Sequence, residues 1–280
     1  MKIAWVTDST VSLDEELLSC KDLYTVPLHV LVSGKEYLDG IDLSPSELFA
    51  LMKTKGVAAT TSQPSIGTFI ELYNDLKDKY DYIISFHVSS ALSGTYSASL
   101  QASQMVDARI HVIDSLILTY PMAALIKKAM EMAAEGIEIS NIIQRIDTIK
   151  ESNHTYVLIG SLEQLHRSGR MSGSQYYLGS MLNIKLIISI ENGKLLVKEK
   201  VRSEKRAKQK ILSYLQADLK KHPIKEVYIL YGLHQEASDS FREEVSRLYP
   251  ELTIKSYPLG TTIGVHAGEN TIGVSWFNNL

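Results

Sequence analysis

The stretch YIISFHVSSALSGTYSASLQASQMV, residues 82–106, decides the fold. Its first six residues, Tyr82–His87, form a short and mostly apolar run that is typical of a strand. A hydroxyl-rich loop follows at 89–95, and residues 95–106 then have the pattern of a helix. The stretch therefore predicts a strand that leads through a polar loop into a helix.

The same strand-to-helix pattern recurs on both sides of this stretch. Strands are predicted at 3–6, 24–32 and 110–113, and helices at 45–55, 69–79 and 121–135. Ser44 and Glu47 have the spacing of a capping box, with Pro45 at the first helical position. Repeated units of this kind favour a mainly parallel, helix-covered sheet.

The second half of the chain has a different character. Two apolar runs, 186–190 and 195–201, flank Asn192-Gly193, which is a strong hairpin signal. A helix at 203–221, a strand at 227–231, a helix at 237–249 and a strand at 252–257 are predicted after it. We therefore expect an α/β domain over 1–153 and an α+β domain with an antiparallel hairpin over 154–280.

Composition indicates a globular protein that does not bind nucleic acid. The 280 residues are 45% hydrophobic and 22% charged, with a formal net charge of −3. The single cysteine, Cys20, allows no internal disulfide, which fits a reducing cytosol. Because the N-terminus lacks a secretory apolar stretch and no long apolar window occurs, we expect a cytoplasmic protein without integral membrane insertion.

Positive charge is concentrated in residues 194–225. This segment holds eleven Lys and Arg against Glu199, Glu204 and Asp218, a local charge of +8. A solvated helix face explains such a segment. A docking surface for an acidic partner or a phosphate also explains it, and the two readings remain open.

Common catalytic signatures are absent from the sequence, including GxxxxGK[ST], GxGxxG, HExxH and GxSxG. What remains is two hydroxyl-rich segments before predicted helices, at 60–65 and 89–95. Hydroxyls, free backbone N–H groups and the positive end of a helix dipole suit an anion. Helix caps have the same composition, so either segment alone fits both readings. Asp8 and Asp114 each follow a predicted strand and fit turn residues, and we predict no metal site.

Eight short motifs occur along the chain: TDST (7–10), TSQPS (61–65), SSALSGTYSA (89–98), DS (114–115), LEQLHRSGR (162–170), LNIK (182–185), KVRSEKRA (200–207) and GVHAG (264–268). In these motifs and their order, and along almost its whole length, the chain resembles the DegV family of bacterial fatty-acid-binding proteins, which includes the FakB-type subunits of fatty acid kinase. The resemblance implies a two-domain α/β fold. It also implies a lipid-binding protein whose fatty acid is phosphorylated to an acyl phosphate by a separate ATP-dependent kinase, for phospholipid synthesis.

The resemblance also assigns roles to residues. Thr61 and Ser93 would hold the carboxylate, with Ser62, Gly94 and His266 as further contacts, while Arg170, Arg202 and His266 would assist phosphoryl transfer. The only bound group implied is a long-chain fatty acid, without another cofactor. The chain departs from the family pattern at Ser168, Leu186 and the Glu269 loop, where family members often carry Gly, Pro and a Gly-rich tail.

On the residues alone, some of these roles have alternatives. Arg202 fits a surface charge in a basic run, and Arg170 beside Gly169 fits either a tight turn or a functional role. His266 is expected in a Gly- and Thr-rich loop near the C-terminus. A competing function is a serine-dependent acyl hydrolase or acyltransferase that uses Ser93 or Ser172 with His266. A third is a regulatory protein in which a lipid only fills space.

Overall fold

The computed structural model describes residues 1–56, 58–175 and 184–280. Within them the chain forms two compact units. The first unit consists of Met1–Gly136 with Gly260–Thr262, and the second consists of Ile137–Leu259 with Ile263–Leu280. Leu182 and Asn183 of the LNIK motif lie outside the described residues. The expected domain boundary at 153 stays a prediction.

The main sheet of the first unit has four parallel strands in the order β2-β1-β6-β7. These strands are β1 (Ile3–Asp8), β2 (Leu23–Val26), β6 (Tyr82–His87) and β7 (Ile110–Asp114). The helices of this unit are α1 (Glu15–Leu18), α2 (Pro45–Lys55), α3 (Ile66–Lys77), α4 (Thr95–Ser103) and α5 (Thr119–Ala134). The expected parallel, helix-covered sheet is confirmed.

Alternation along the strands explains how the helices attach to this sheet. Ala4, Val6 and Ile83 point to one face, where they pack with Phe69 of α3 and Ala98 of α4 in a buried apolar cluster. Helix α2 begins at the predicted capping box, with the Ser44 N–H donating to Glu47 and the Glu47 N–H donating back to Ser44. Gly56 ends it in a left-handed conformation.

A second sheet in the first unit was not predicted. It is antiparallel, with the order β4-β3-β5, and contains β3 (His29–Val32), β4 (Lys35–Leu38) and β5 (Ala59–Ser62). The single strand expected at 24–32 is therefore wrong. Pro27 lies between β2 and β3 and has no backbone N–H to continue a ladder, and the chain changes sheet there.

The second unit is built on one mixed sheet of six strands in the order β10-β9-β8-β13-β11-β12. These are β8 (Asn153–Leu158), β9 (Lys185–Glu191), β10 (Lys194–Val201), β11 (Glu226–Tyr231), β12 (Thr253–Pro258) and β13 (Ile272–Phe277). The helices are α6 (Ile139–Glu151), α7 (Leu162–Arg167), α8 (Glu204–Leu219), α9 (Gln235–Leu248) and α10 (Gly260–Ala267), of which α10 begins with three residues of the first unit.

The predicted hairpin between β9 and β10 is confirmed. Asn192 and Gly193 have φ angles of 49° and 78°, as a type I′ turn requires. Among the described residues of the second unit, the sequence analysis missed five elements, namely α6, β8, α7, α10 and β13. Within the described residues, no helix has both the length and the apolar character needed to cross a bilayer.

Candidate functional site

The carboxyl ends of the four parallel strands lie along one edge of the first unit's main sheet. Two of them end in aspartates, and both aspartates fix loops. The Asp114 carboxylate accepts hydrogen bonds from the backbone N–H groups of Ser90 (3.2 Å) and Leu116 (3.0 Å). Asp114 is therefore a turn residue, which was one of the predicted readings, and it fixes the start of the Ser89–Thr95 loop.

Asp8 ends β1 and is fully buried beside a histidine that the sequence analysis missed. Its carboxylate lies 3.1 Å from Nδ1 of His87, which ends β6 and is also fully buried. Backbone N–H groups of Val88 (2.9 Å) and Thr10 (3.1 Å) and the Thr10 hydroxyl (2.6 Å) donate to the same carboxylate. A buried carboxylate is costly unless it is hydrogen-bonded, and these donors satisfy the Asp8 carboxylate. Because Val88 is one of them, the same hydrogen bonds fix the backbone directly before the Ser89–Thr95 loop.

The other ring nitrogen of His87 faces two buried hydroxyls. Nε2 lies 2.7 Å from Ser85 Oγ and 2.8 Å from Ser99 Oγ, and both hydroxyls contact the Tyr73 hydroxyl. Burial raises the pKa of Tyr73. The Ser–His–Asp contact resembles a hydrolytic triad, but its members are fully buried, so a substrate cannot reach it. We interpret the network as a polar core that holds the loop end of the sheet.

The loop from Ser89 to Thr95 ends at helix α4, whose N-cap residue Gly94 makes no side-chain cap hydrogen bond. Ser93 Oγ lies 2.8 Å from the Thr95 hydroxyl and accepts from the Thr95 N–H at 3.3 Å. When the Thr95 hydroxyl donates in this pair, the Ser93 proton is left to donate to a group outside the protein. Ser93 is half-buried, so it remains accessible.

Thr61 and Ser62 lie elsewhere than expected. They end strand β5 of the small antiparallel sheet, opposite Val30 and His29, so they are not part of a loop in the main sheet. The next residue, Gln63, nevertheless brings this segment to the main sheet. A Cβ atom added to Gly94 would overlap the Gln63 side-chain amide. The two hydroxyl segments of the sequence analysis therefore lie side by side.

The second unit contains the other assigned residues. His266 lies in the last turn of helix α10, not in the loop that was expected, and its side chain is 9% exposed. Burial, together with the charge of Arg170, lowers the pKa of His266 to about 4. The imidazole is therefore neutral at pH 7, and it can donate or accept a hydrogen bond without carrying charge. The structure thus brings Arg170 and His266 together.

Close backbone packing surrounds the end of this helix. A Cβ on Gly268 would lie 2.8 Å from Ser161 Cβ, and a Cβ on Gly160 would lie 2.7 Å from the Thr271 N atom. The Ser161 N–H donates to the carbonyl of Ala267 at 2.9 Å. Glycine at 160 and 268 therefore lets the loop after His266 approach the N-terminus of α7.

Arg170 and Arg202 have different surroundings. Arg170 is partly buried, burial lowers its pKa, and its guanidinium donates to the carbonyl of Ser168. Arg202 is exposed and directly precedes Ser203, the N-cap residue of α8.

The alternative nucleophile Ser172 is engaged locally. Its hydroxyl lies 3.1 Å from Ser174 Oγ and donates to Gln175 Oε1 at 3.1 Å, and it accepts from the Gln175 N–H. This geometry is that of a turn hydroxyl without a histidine base, so the serine-hydrolase alternative is not favoured. In residues 1–56, 58–175 and 184–280, no three His, Cys, Asp or Glu side chains gather as a metal-binding group.

The fold and these segments define a two-unit α/β protein. The first unit has accessible hydroxyls beside the N-terminus of a helix that has no side-chain cap. The second unit has a buried histidine that is affected by the charge of an arginine. The family described as "Uncharacterised protein, DegV family" matches residues 2–279. The chain belongs to the DegV family.

Solved structures of this family share the fold. DegV from Bacillus subtilis, described as a fatty acid binding protein, is 32% identical with a TM-score of 0.89, covering 99% of both chains. A DegV family protein from Thermus thermophilus, reported for fatty acid binding, is 29% identical with a TM-score of 0.91, covering 99% of this chain and 100% of that one. The Streptococcus pneumoniae Fatty Acid Kinase B3 protein, loaded with linoleic acid, is alike in fold, with 19% identity and a TM-score of 0.85 over 99% and 100% of the chains.

Proposed function

We propose that this protein binds a long-chain fatty acid and that the hydroxyl segments of the first unit hold its carboxylate. The observation that supports the proposal is the contact between the Gln63 side chain and Gly94, the residues that directly follow Ser62 and Ser93. The relatives described as fatty acid binding support the same ligand class. Thr61, Ser62, Ser93 and the Gly94 N–H are the proposed donors to the carboxylate.

Physical magnitudes agree with a lipid ligand. Burial of an acyl chain is favourable by roughly 0.8 kcal/mol per CH₂, so a long chain contributes on the order of 10 kcal/mol before ordering costs. The carboxylate would oppose burial unless it were hydrogen-bonded. Hydroxyl donors satisfy its charge but leave oxygen lone pairs available to attack, whereas a bidentate arginine would occupy them.

We further propose that the carboxylate is presented to a separate ATP-dependent kinase, which forms an acyl phosphate for phospholipid synthesis in the cytoplasm. Phosphoryl transfer concentrates negative charge that needs cations and donors. Arg170 and His266 lie together in the second unit and are the proposed assistants, with Arg202 as a further cation. Because His266 is neutral at pH 7, its proposed role is that of a hydrogen-bond donor to the carboxylate or the incoming phosphoryl group.

The basic segment 194–225 is the proposed docking surface for the kinase. Some of its cations are paired with acidic side chains, such as Lys208 with Glu204 and Lys210 with Glu199. Lys205 and Arg206 are exposed and, within the described residues, form no ion pair with an acidic side chain. Such unpaired cations suit long-range attraction of an acidic partner.

Lipid extraction tests the ligand proposal directly. Mass spectrometry of an organic extract of the purified protein is expected to show fatty acid in stoichiometric amount. An extract without lipid, together with no binding of added fatty acid, would show that the ligand is wrong. Hydrolysis of acyl esters by the protein alone would instead support the serine-dependent alternative.

The transfer proposal is tested separately at His266. The variant His266→Ala is expected to retain bound fatty acid but to form acyl phosphate much more slowly with the partner kinase, because the donor to the reacting oxygens is lost. His166→Ala is a matched control, since His166 contacts the backbone carbonyl of Met171 in the same unit. Wild-type transfer by His266→Ala, under conditions where transfer limits the rate, would remove His266 from the mechanism.

A further inference from the structure

His87 closes a ring of four hydrogen-bonding contacts in the core of the first unit. Its Nε2 atom lies 2.7 Å from Ser85 Oγ and 2.8 Å from Ser99 Oγ, and the Tyr73 hydroxyl lies 3.0 Å and 2.6 Å from the same two oxygens. All four side chains are fully buried, so their hydrogen bonds are made inside the protein. Each hydroxyl supplies one proton, and burial raises the pKa of Tyr73, so that its hydroxyl keeps its proton. The ring therefore has four contacts and three hydroxyl protons.

The directions of these hydrogen bonds show where a further proton is needed. The geometry makes Tyr73 the donor to Ser85, so the single proton of Tyr73 is used there. Ser99 must then donate to Tyr73, which uses the proton of Ser99 in turn. The contact between Ser99 Oγ and Nε2 of His87 has a proton only if Nε2 carries one. A bare Nε2 would leave a buried hydrogen bond unmade, which is unfavourable, whereas an Nε2–H group donates to Ser99 and is shared with Ser85.

The other ring nitrogen of His87 needs a proton for a different reason. Nδ1 lies 3.1 Å from Oδ2 of Asp8, and the Val88 N–H donates to the same oxygen at 2.9 Å. The N–H and the hydroxyl of Thr10 donate to Oδ1 of Asp8 at 3.1 Å and 2.6 Å. A carboxylate in which both oxygens already accept hydrogen bonds acts as an acceptor, so the proton between it and the ring belongs to Nδ1. These contacts require a proton on each ring nitrogen.

We infer that His87 is an imidazolium, that it forms a buried ion pair with Asp8, and that this pair positions Ser93 for the ligand carboxylate. A buried ion pair is tolerated when further hydrogen bonds satisfy both charges, as they do here. One of these hydrogen bonds leads to the ligand loop, because Val88, which donates to Asp8, directly precedes Ser89. The Ser93 N–H in turn donates to the carbonyl of Ser89 at 3.1 Å, so the backbone joins the ion pair to Ser93. The effect on lipid binding rests on the proposed function, whereas the charge of the ring is measurable without a ligand.

The charge is tested by ¹⁵N NMR of the delipidated full-length protein at pH 8, where an ordinary histidine with a pKa near 6.5 is neutral. The described titratable groups around the ring are Asp8 of β1, which contacts it, Tyr73 of α3, which reaches it through the two serines, and Asp114, its register partner on β7. Both ring nitrogens of His87 should show a directly bonded proton. The signals are assigned by their loss in His87→Gln, and His111 of β7 is the neutral reference, because burial lowers its pKa. A bare ring nitrogen on His87 would overturn the inference.

The positioning role is tested with Asp8→Asn, which removes the carboxylate charge and keeps the shape of the side chain. The ring of His87 should lose one of its two protons at pH 8, and the affinity for fatty acid should fall roughly 10-fold, the lower end of the effect of a hydrogen bond to a charged group. Because Asp8 is inferred to act through Ser93, Asp8→Asn should weaken binding much less when Ser93 is already alanine. Asp81→Asn is the matched control, since Asp81 is exposed at the opposite edge of the same sheet and accepts from the Lys2 N–H. Equal losses with and without Ser93→Ala, or no loss, would overturn the positioning role.

Tyr73→Phe decides if Asp8→Asn does not fold. Without the phenol oxygen, the proton of Ser99 is free to donate to Nε2, so the ring of His87 should lose its Nε2 proton at pH 8. Tyr82→Phe, at the other end of β6, should leave the ring unchanged. An unchanged ring in Tyr73→Phe would overturn the inference. Failure of the proposed function has a different signature, since Ser93→Ala would then bind lipid like the wild type while the ring still carried two protons.

Discussion

Acid should destabilise this protein through His266, and the size of the effect follows from its burial. The unfolded chain binds a proton at this histidine with an ordinary pKa of 6.5, whereas burial and Arg170 lower the pKa to about 4 in the folded state. Because the folded pKa is depressed, the unfolded state takes up the proton first as the pH falls. Stability is therefore complete above about pH 6.5 and is lost between 6.5 and 4.

The expected loss can be calculated from the two pKa values. The difference between the two pKa values corresponds to a total loss of about 3 kcal/mol in the free energy of unfolding, reached once the pH lies below both values. At pH 5 the free energy of unfolding is about 2 kcal/mol lower than at pH 8. Replacement by glutamine removes the proton site. Between pH 8 and pH 5 the free energy of unfolding should fall for the wild type and for His266→Gln. The fall should be about 2 kcal/mol smaller for His266→Gln.

Denaturant unfolding of delipidated protein at several pH values measures this difference, and the NMR titration of the His266 ring reports the folded pKa directly. His234→Gln is the control, because His234 is an exposed histidine in the second unit. If wild type and His266→Gln lose stability in parallel from pH 8 to pH 5, the ring does not remain neutral in the folded state and the reasoning is refuted.

Three further outcomes are expected. Thr61→Ala and Ser93→Ala should each weaken fatty-acid binding by about 1.5–3 kcal/mol, since each removes a donor to a charged group; unchanged dissociation constants for both would place the carboxylate elsewhere. Charge reversal at Lys205 and Arg206 should slow association with the kinase and alter its salt dependence, while a change in lipid affinity alone would contradict a docking role. Gly193→Ala should lower the free energy of unfolding by about 1 kcal/mol, measured with denaturant, because alanine disfavours a φ of 78°; no loss would show that the turn can relax.

Features fixed by neighbouring residues were predicted from the sequence. The apolar run YIISFH located β6 with its observed bounds, Asn192-Gly193 located the hairpin, and the Ser44–Glu47 spacing located the start of α2. In each case the decisive interaction spans a few residues, so the local pattern determines the structure.

Features that depend on distant residues were missed. Helix α10 has a Gly- and Thr-rich sequence with weak helix propensity, and the Thr261 hydroxyl in its first turn donates to the carbonyl of Leu43, which is 218 residues away in the sequence. His87 meets Asp8 across a separation of 79 residues. The local sign of this His87–Asp8 pair was that a histidine ends the mostly apolar strand β6 and an aspartate ends β1. Because the carboxyl ends of parallel strands lie at one edge of a sheet, this sign could have predicted the contact.

Among the described residues, strand β10 is an edge strand of the six-stranded sheet, and its side chains alternate between exposed and half-buried. Lys194, Lys198 and Lys200 all lie on the exposed side of that alternation. An unpaired strand edge is a template on which another molecule can add a strand, and lysines oppose this because approaching copies repel each other. The charges proposed to attract a partner therefore also protect the protein from self-association. Neutralising these three lysines should promote aggregation, so mutations that map the docking surface are better confined to helix α8.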